Sequence, residues 1–288
     1  MMTIDTFIIK ANALNLQPQI LQLEEILMKL IKNILITSFL SVSLATASHA
    51  APTADEIVAK NVEAKGGAKK WDAIKTIKIT GTMNMGAMEF PFEMIQKRPN
   101  KLYMTFELQG MQGKQVFDGE KGWMVMPFMG KTEPEPMADD QLKDFRKQAD
   151  IDGPLRSYKK NGNTLEYIGE TEIEGTPVIE LKLTEKEGDI TTYYLEKDSM
   201  LEIKTKTKAT RMGQTMEIET TIGNYDEVDG MVFPHSIATS LGNMGGQEII
   251  LKTIEINQDV DDSIFKMPKA KANTDSKDSK ESKKINKK

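Results

Sequence analysis

The chain has 288 residues, no cysteine, two histidines, and 38 basic against 43 acidic side chains for a net charge of −5. Without a thiol there is no disulfide scaffold, cysteine nucleophile, cysteine-ligated zinc or iron–sulfur site, or lipid-modified cysteine. The acidic balance also argues against a general nucleic-acid binder, which presents a basic surface.

Met28-Lys29-Leu30-Ile31-Lys32 opens a basic segment, Ile34 to Leu44 is a short apolar core, and Ser48-His49-Ala50 has the small residues of a cleavage site. This is the layout of a cleaved export signal over 28–50. A membrane anchor needs roughly 18 or more apolar residues, and this core is shorter and broken by Thr37, Ser38, Ser41 and Ser43. Residues 1–27 then read as an upstream mis-start extension, because a signal peptide begins at its own methionine. A periplasmic location follows as the expectation, and a chain without stray thiols suits an oxidising compartment.

Residues 51–267 are expected to form one β-rich domain. Thr53 is positioned to cap a helix from Ala54 to about Lys65, with Ile57, Val58 and Val62 on one face and Gly66-Gly67 as its stop. A short helical turn, Lys69 to Ile74, precedes a change to strict alternation. Ile77, Ile79, Met83 and Met85 share one parity, as do Met88, Phe90, Phe92 and Met94, and then Leu102, Met104, Phe106 and Leu108. Strands follow near 112–117 and 122–127. A charged helix, Asp139 to Ala149, places Leu142, Phe145 and Ala149 at helical spacing. Alternation resumes over 164–174, 177–183, 190–195, 201–208, 216–228, 231–240 and 248–256. About a dozen antiparallel strands joined by glycine-containing turns imply a barrel or strongly curved sheet, with helices free to cover one side.

From Pro268 to Lys288 eight lysines face three acids, a net of +5 with almost no apolar side chain. Such a tail cannot bury enough surface to fold. It is read as a disordered, solubilising end, or as a contact for an acidic partner or anionic lipid. The first fifty residues balance in charge, so 51–267 carries −10.

No catalytic site assembles from this inventory, and the expectation is a non-enzyme without metal or cofactor. His235 is the only histidine after the leader and has no second histidine or cysteine beside it. Neither a Gly-x-Ser-x-Gly elbow nor a phosphate-cradling glycine loop is present. Asp139-Asp140, Asp259 and Asp261-Asp262 adjoin turns or helix starts, where capping explains them. Methionine is the unusual signal, with sixteen of nineteen after residue 50. Met83-x-Met85 and Met124-x-Met126 admit a Cu(I) reading, an ordinary core reading, and a deformable-cavity reading in which unbranched thioethers adapt to variable ligands.

Gln96-Lys97-Arg98-Pro99-Asn100 at a strand end, followed by Val116-Phe117-Asp118-Gly119-Glu120-Lys121-Gly122-Trp123, resembles the LolA family of periplasmic lipoprotein carriers. Tyr193 to Lys197, Tyr225 to His235 and Asn257 to Pro268 extend the resemblance in order. The family implies a mainly β fold with a few helices: a curved, antiparallel, unclosed β-barrel covered by a helical lid. It also implies an apolar cavity for the acyl chains of lipoproteins, here lined by Met83, Met85, Phe90, Phe92, Met94, Leu102, Met104 and Phe106, and a lid latch at Arg98. Leu102 stands where the family carrier has an aromatic residue. The implied partners are lipoprotein or lipid cargo, an inner-membrane ABC-type release complex and an outer-membrane acceptor, with the carrier acting as a monomer. Free lipid or another hydrophobic ligand is the alternative cargo.

Parity gives Arg98 a reading of its own. It shares the apolar side of its strand with Met94 and Phe92 unless the strand bulges before Pro99. A guanidinium there needs acceptors, which the unpaired carbonyls of a covering helix would supply. An arginine fraying into solvent at a strand end is the simpler use.

Overall fold

The structure, a computed structural model, describes residues 51–211, 214–242 and 245–268; the expected leader, upstream extension and nearly all of the lysine tail lie outside them. Thr53 caps α1 (Ala54–Ala64) with a reciprocal box: its Oγ1 accepts from Glu56 N at 3.2 Å while its own N–H donates to Glu56 Oε2 at 2.8 Å. The short α2 (Ala68–Ala73) then leads into the sheet.

Six strands run as a meander: β1 (Thr76–Met85), β2 (Met88–Lys97), β3 (Lys101–Leu108), β4 (Met111–Phe117), β5 (Gly122–Met126) and β6 (Lys131–Pro136). Seven more form a second: β7 (Thr164–Ile173), β8 (Thr176–Thr184), β9 (Ile190–Glu196), β10 (Glu202–Arg211), β11 (Gln214–Val228), β12 (Met231–Ser240) and β13 (Gly246–Ile256). All described pairings are antiparallel, and β13 joins β1, fusing the meanders into one sheet ordered β6-β5-β4-β3-β2-β1-β13-β12-β11-β10-β9-β8-β7. The ends, β6 and β7, do not pair, so the sheet is not closed into a barrel. Between them the chain forms α3 (Asp139–Ala149) and α4 (Gly153–Ser157). The helical crossover therefore spans the same gap that strand pairing leaves open.

Cross-strand register puts Ile77, Ile79, Gly81 and Met83 opposite Gln96, Met94, Phe92 and Phe90, on one face. Three apolar clusters lie on it. Ile57 and Leu155 pack on Leu165, Ile179, Leu181, Leu183 and Leu195. Ile74 and Ile151 pack on Ile77, Ile79, Phe92, Phe233 and Leu251. Leu142, Phe145 and Ala149 pack on Leu102, Phe117, Met124 and Met126. The opposite face carries a fourth cluster, where Val260 and Phe265 of a C-terminal strap cover Ile95, Val116 and Trp123. Trp123 Nε1 donates to Phe265 O at 3.2 Å, and Lys97 reaches Val260 O at 2.6 Å and Asp262 at 2.9 Å.

Four elements were not anticipated from the sequence: edge strand β6, helix α4 and the 3-10 turns Pro127–Met129 and, in the strap, Asp262–Phe265. Pro134 and Pro136 disguise β6, since proline within a strand is tolerated chiefly at an edge. Only five residues of α4 are helical, too few to show a period.

Candidate lid and covered apolar face

The polar end of β2 holds the helices down. Gln96 lies on the inner face opposite Ile77, and its Nε2 donates to Gln148 O in the last turn of α3 at 2.5 Å. Arg98 follows at the same parity, just before a cis peptide to Pro99. Its Nε donates to Ile74 O at 2.8 Å and its Nη2 to Trp71 O at 3.0 Å, both at the C-terminal end of α2. Trp71 O also accepts the Ile74 N–H at 3.3 Å, and cations are favoured at such a helix end. The other edge of the guanidinium forks onto Asp152, with Nη1 to Oδ2 at 2.6 Å and Nη2 to Oδ1 at 2.7 Å. Asp152 precedes α4 and also accepts from Arg156, whose Nη2 continues to Asp72 Oδ1 at 2.6 Å. Hydrogen bonding to Arg98 holds the Asp152 carboxyl below its ordinary value, and the same bonds raise the Arg98 guanidinium further.

A second set of polar contacts fixes α1. Asn61 Nδ2 donates to Met200 O at 2.7 Å, and Lys65 pairs with Glu202 at 2.5 Å. Trp71 Nε1 donates to Lys65 O at 3.2 Å, and the Tyr158 hydroxyl donates to Asp55. Among the described residues Glu202 Oε2 is buried without a hydrogen-bond partner, beside a cavity of about 80 Å³ bordered by Lys65, Trp71, Asp152 and Tyr193. Desolvation raises the phenols of Tyr193 and Tyr225.

The eight residues expected to line a cavity share the inner face but not one environment. Phe92 and Leu102 are buried beneath α2 and α3, and Phe90 is buried on β2. Met83, Met94 and Phe106 flank the clusters, and the Phe106 ring lies 5.7 Å from Phe128. Met104 is half-buried. Met85 stands at the exposed strand tip, 43% accessible, beside Met88 at 52%. Met124 and Met126 pack among Leu102, Phe117 and Phe145, so their thioethers serve as core there. His235 is half-buried, with Nδ1 3.3 Å from Phe233 O.

The inner face beyond β13 has a different character. Register links Ile249 to Ile237 and Ile237 to Ile222, while Thr239 opposes Thr220 and Thr220 opposes Thr205. Thr220 and Thr239 hydroxyls meet at 3.1 Å, and those of Thr191 and Thr207 at 3.0 Å. The face thus runs from aromatic and methionine side chains on β1–β4 to isoleucine and threonine on β11 and β12 and threonine on β10. Sequence reasoning missed this floor, since threonine in a strand reads as an ordinary β-former. It also missed Gln96 and Asp152; the parity argument used for Arg98 applies equally to Gln96.

An unclosed antiparallel sheet whose open side is spanned by helices defines a lidded half-barrel. Solved structures of the same form include a DUF1329 family protein from Desulfovibrio piger, 12% identical over 74% of this chain and 97% of that one with a TM-score of 0.54. They also include a LolA superfamily protein from Nitrosomonas europaea, 14% identical over 75% and 98% with a TM-score of 0.52. A third is a domain described as an outer membrane lipoprotein-sorting protein from Vibrio parahaemolyticus, 12% identical over 73% and 94% with a TM-score of 0.51. No family model and no curated protein matches the sequence. The fold is LolA-like.

Proposed function

We propose that this protein is a periplasmic carrier that takes the acyl chains of lipoproteins between its sheet and helices and moves them from the inner to the outer membrane. The observation that carries this reading is the Arg98 fork, a reversible polar tie between β2 and the helices over an apolar face. The LolA-like fold of a lipoprotein-sorting domain supports it. So do the leader-like segment at 28–50 and the absence of cysteine. An inner-membrane ABC-type complex that loads the carrier and an outer-membrane acceptor complete the cycle.

The physical need is large. Each buried methylene is worth about 0.8 kcal/mol, so two or three long chains face some tens of kcal/mol on leaving a bilayer unaided. Release demands that binding be balanced rather than maximal, which a lid with two near-equal states provides. The helices make the closed state by placing their own Ile57, Ile74, Phe145 and Leu155 on the sheet. Cargo displaces them and Arg98 lets go.

Native mass spectrometry of the exported chain purified from a periplasm, with the bound mass identified after denaturation, tests the reading. An acylated polypeptide is the expected cargo. Free phospholipid or glycolipid alone would replace lipoprotein sorting by lipid transport, and a protein that stays empty and rejects apolar probes would overturn both.

A further inference from the structure

A second recess lies outside the covered apolar face. It has a volume of about 520 Å³ and is bounded by α3, the turn after α4, the β8–β9 turn and Pro99-Asn100. Two of its three acids, Glu185 and Glu187, are paired with lysines, as is the neighbouring Asp189. Lys143 pairs with Glu187 at 2.8 Å and Asp189 at 3.3 Å, and Lys147 with Glu185 at 2.6 Å and Asp189 at 3.3 Å. Asp150 Oδ1 accepts from Asp152 N at 3.2 Å.

Three further cations border the same recess: Arg146 of α3, Lys160 of the turn after α4, and Lys186 of the β8–β9 turn. Among the described residues none of their side chains meets an acid. Asn163 Oδ1 accepts from Lys186 N at 3.1 Å, which leaves its amide N–H groups as donors beside them. Three segments distant in sequence therefore bring donors to one concavity whose lining residues keep a positive excess, five cations against Asp150, Glu185 and Glu187, on a domain whose 51–267 charge is −10.

We propose that this recess binds a phosphate-class anion, a phosphomonoester or phosphodiester, held by Arg146, Lys160 and Lys186. A tetrahedral anion offers several acceptor oxygens in different directions, matching donors that arrive from three sides. The volume lies within the range of small-ligand pockets, about 300–1,000 Å³, and leaves space for a headgroup around the phosphorus. Placement adds a consequence. Pro99 and Asn100 follow Arg98 on the sheet side, and Asp150 and Pro154 flank Asp152 on the helix side. An anion bound there touches both halves of the tie and favours the closed form. As a headgroup site it rests on the lipid-carrier reading; as an anion site it does not.

The test is calorimetric titration of the exported chain with inorganic phosphate, glycerol 3-phosphate and dihexanoyl phosphatidylglycerol, repeated on Arg146→Gln/Lys160→Gln/Lys186→Gln. The three positions are exposed, and the single reversal Lys186→Glu serves should the triple variant fail to fold. Phosphate probes are expected to bind and to weaken at least about tenfold in the variant, as loss of charge-assisted bonds requires. Tighter binding of the lipid than of inorganic phosphate identifies a headgroup as the source, and equal binding a free anion. No binding by any phosphate probe, or binding unaltered in the variants, overturns the proposal. Hexadecanol, which lacks phosphate and carries a chain long enough to compete with the helices, reads the apolar face separately. Its rejection alongside intact phosphate binding would sink the carrier reading and leave the anion site standing.

Discussion

Replacing Arg98 by leucine isolates the tie between sheet and helices. The side chain makes four hydrogen bonds, two to carbonyls at the end of α2 and two to Asp152. Asp152 is only 13% exposed, so removing its partner leaves a carboxylate largely out of water. Breaking a buried ion pair costs about 3–5 kcal/mol. Asp152 keeps Arg156, and the freed carbonyls at the helix end gain some access to water, which reduces the expected loss to about 2–3 kcal/mol. If that loss falls on the closed state alone, the open-to-closed ratio rises roughly 30- to 150-fold. Amide hydrogen exchange reads it directly, because protection in residues 68–73 and 153–157 should fall by that factor while β8 and β9 retain theirs. Uptake of an apolar fluorescent probe should accelerate in parallel. Arg98→Lys keeps the charge and loses the fork, and should fall between the two. Wild-type protection in both helices together with unaltered probe uptake in Arg98→Leu would refute the latch.

A methyl group at Gly81 would stand 2.1 Å from the Ile250 carbonyl oxygen and 2.9 Å from the Phe92 ring, at a register shift between β1 and β13. Gly81→Ala should therefore cost at least about 1–3 kcal/mol in urea unfolding with an unchanged m value. Lys65→Met strands the Glu202 carboxylate, whose Oε2 already lacks a partner among the described residues, and should cost about 3–5 kcal/mol, most of it recovered when Glu202→Leu is added. Phe265→Ala should loosen the C-terminal strap at a cost of about 3–5 kcal/mol and shift the fluorescence of Trp123, 5% exposed, to the red. Asp152 is held below its ordinary value of 3.8 mainly by hydrogen bonding to Arg98, so its contribution is complete above that value and disappears as pH falls through the folded one. Thermal scans should thus show an acid-side loss below about pH 4 that is shallower in Arg98→Leu.

Most of the sheet was legible because one face is buried and period-two alternation marks that directly. Ile77 to Met85 and Met88 to Met94 could be assigned to a face before any pairing was known, and the register of β1 with β2 agrees. Helix α1 announced itself by its cap and α3 by Leu142, Phe145 and Ala149. The site was legible only on the sheet side. Parity oriented Arg98, but nothing local tied it to Asp152, fifty-four residues away across the helical crossover. Non-local polar pairs leave no period in a sequence, and the Lys65–Glu202 pair, 137 residues apart, is hidden for the same reason. The cavity lining was drawn from strand alternation alone, which cannot say where the helices stop. Hence Leu102 lies sealed under α3 while Met85 stands free at the tip.

That uneven cover bears on how a carrier of this form would balance uptake and release. In the structure the helices and their ends set Ile57, Ile74, Phe145 and Leu155 on the inner face. Exposing a large apolar side chain costs about 1.5–3 kcal/mol, so cargo that displaces all four forfeits roughly 6–12 kcal/mol before gaining any burial of its own. Breaking the Arg98 tie adds to that cost. The threonine-rich floor on β10–β12 lowers the gain further, since hydroxyls paired with one another offer hydrocarbon less than a fully apolar wall would. Long acyl chains recover far more than short ones, at about 0.8 kcal/mol per methylene. In such a carrier the competition would set a minimum chain length below which the helices win the face, and would keep the net affinity for longer chains well under their gross burial energy.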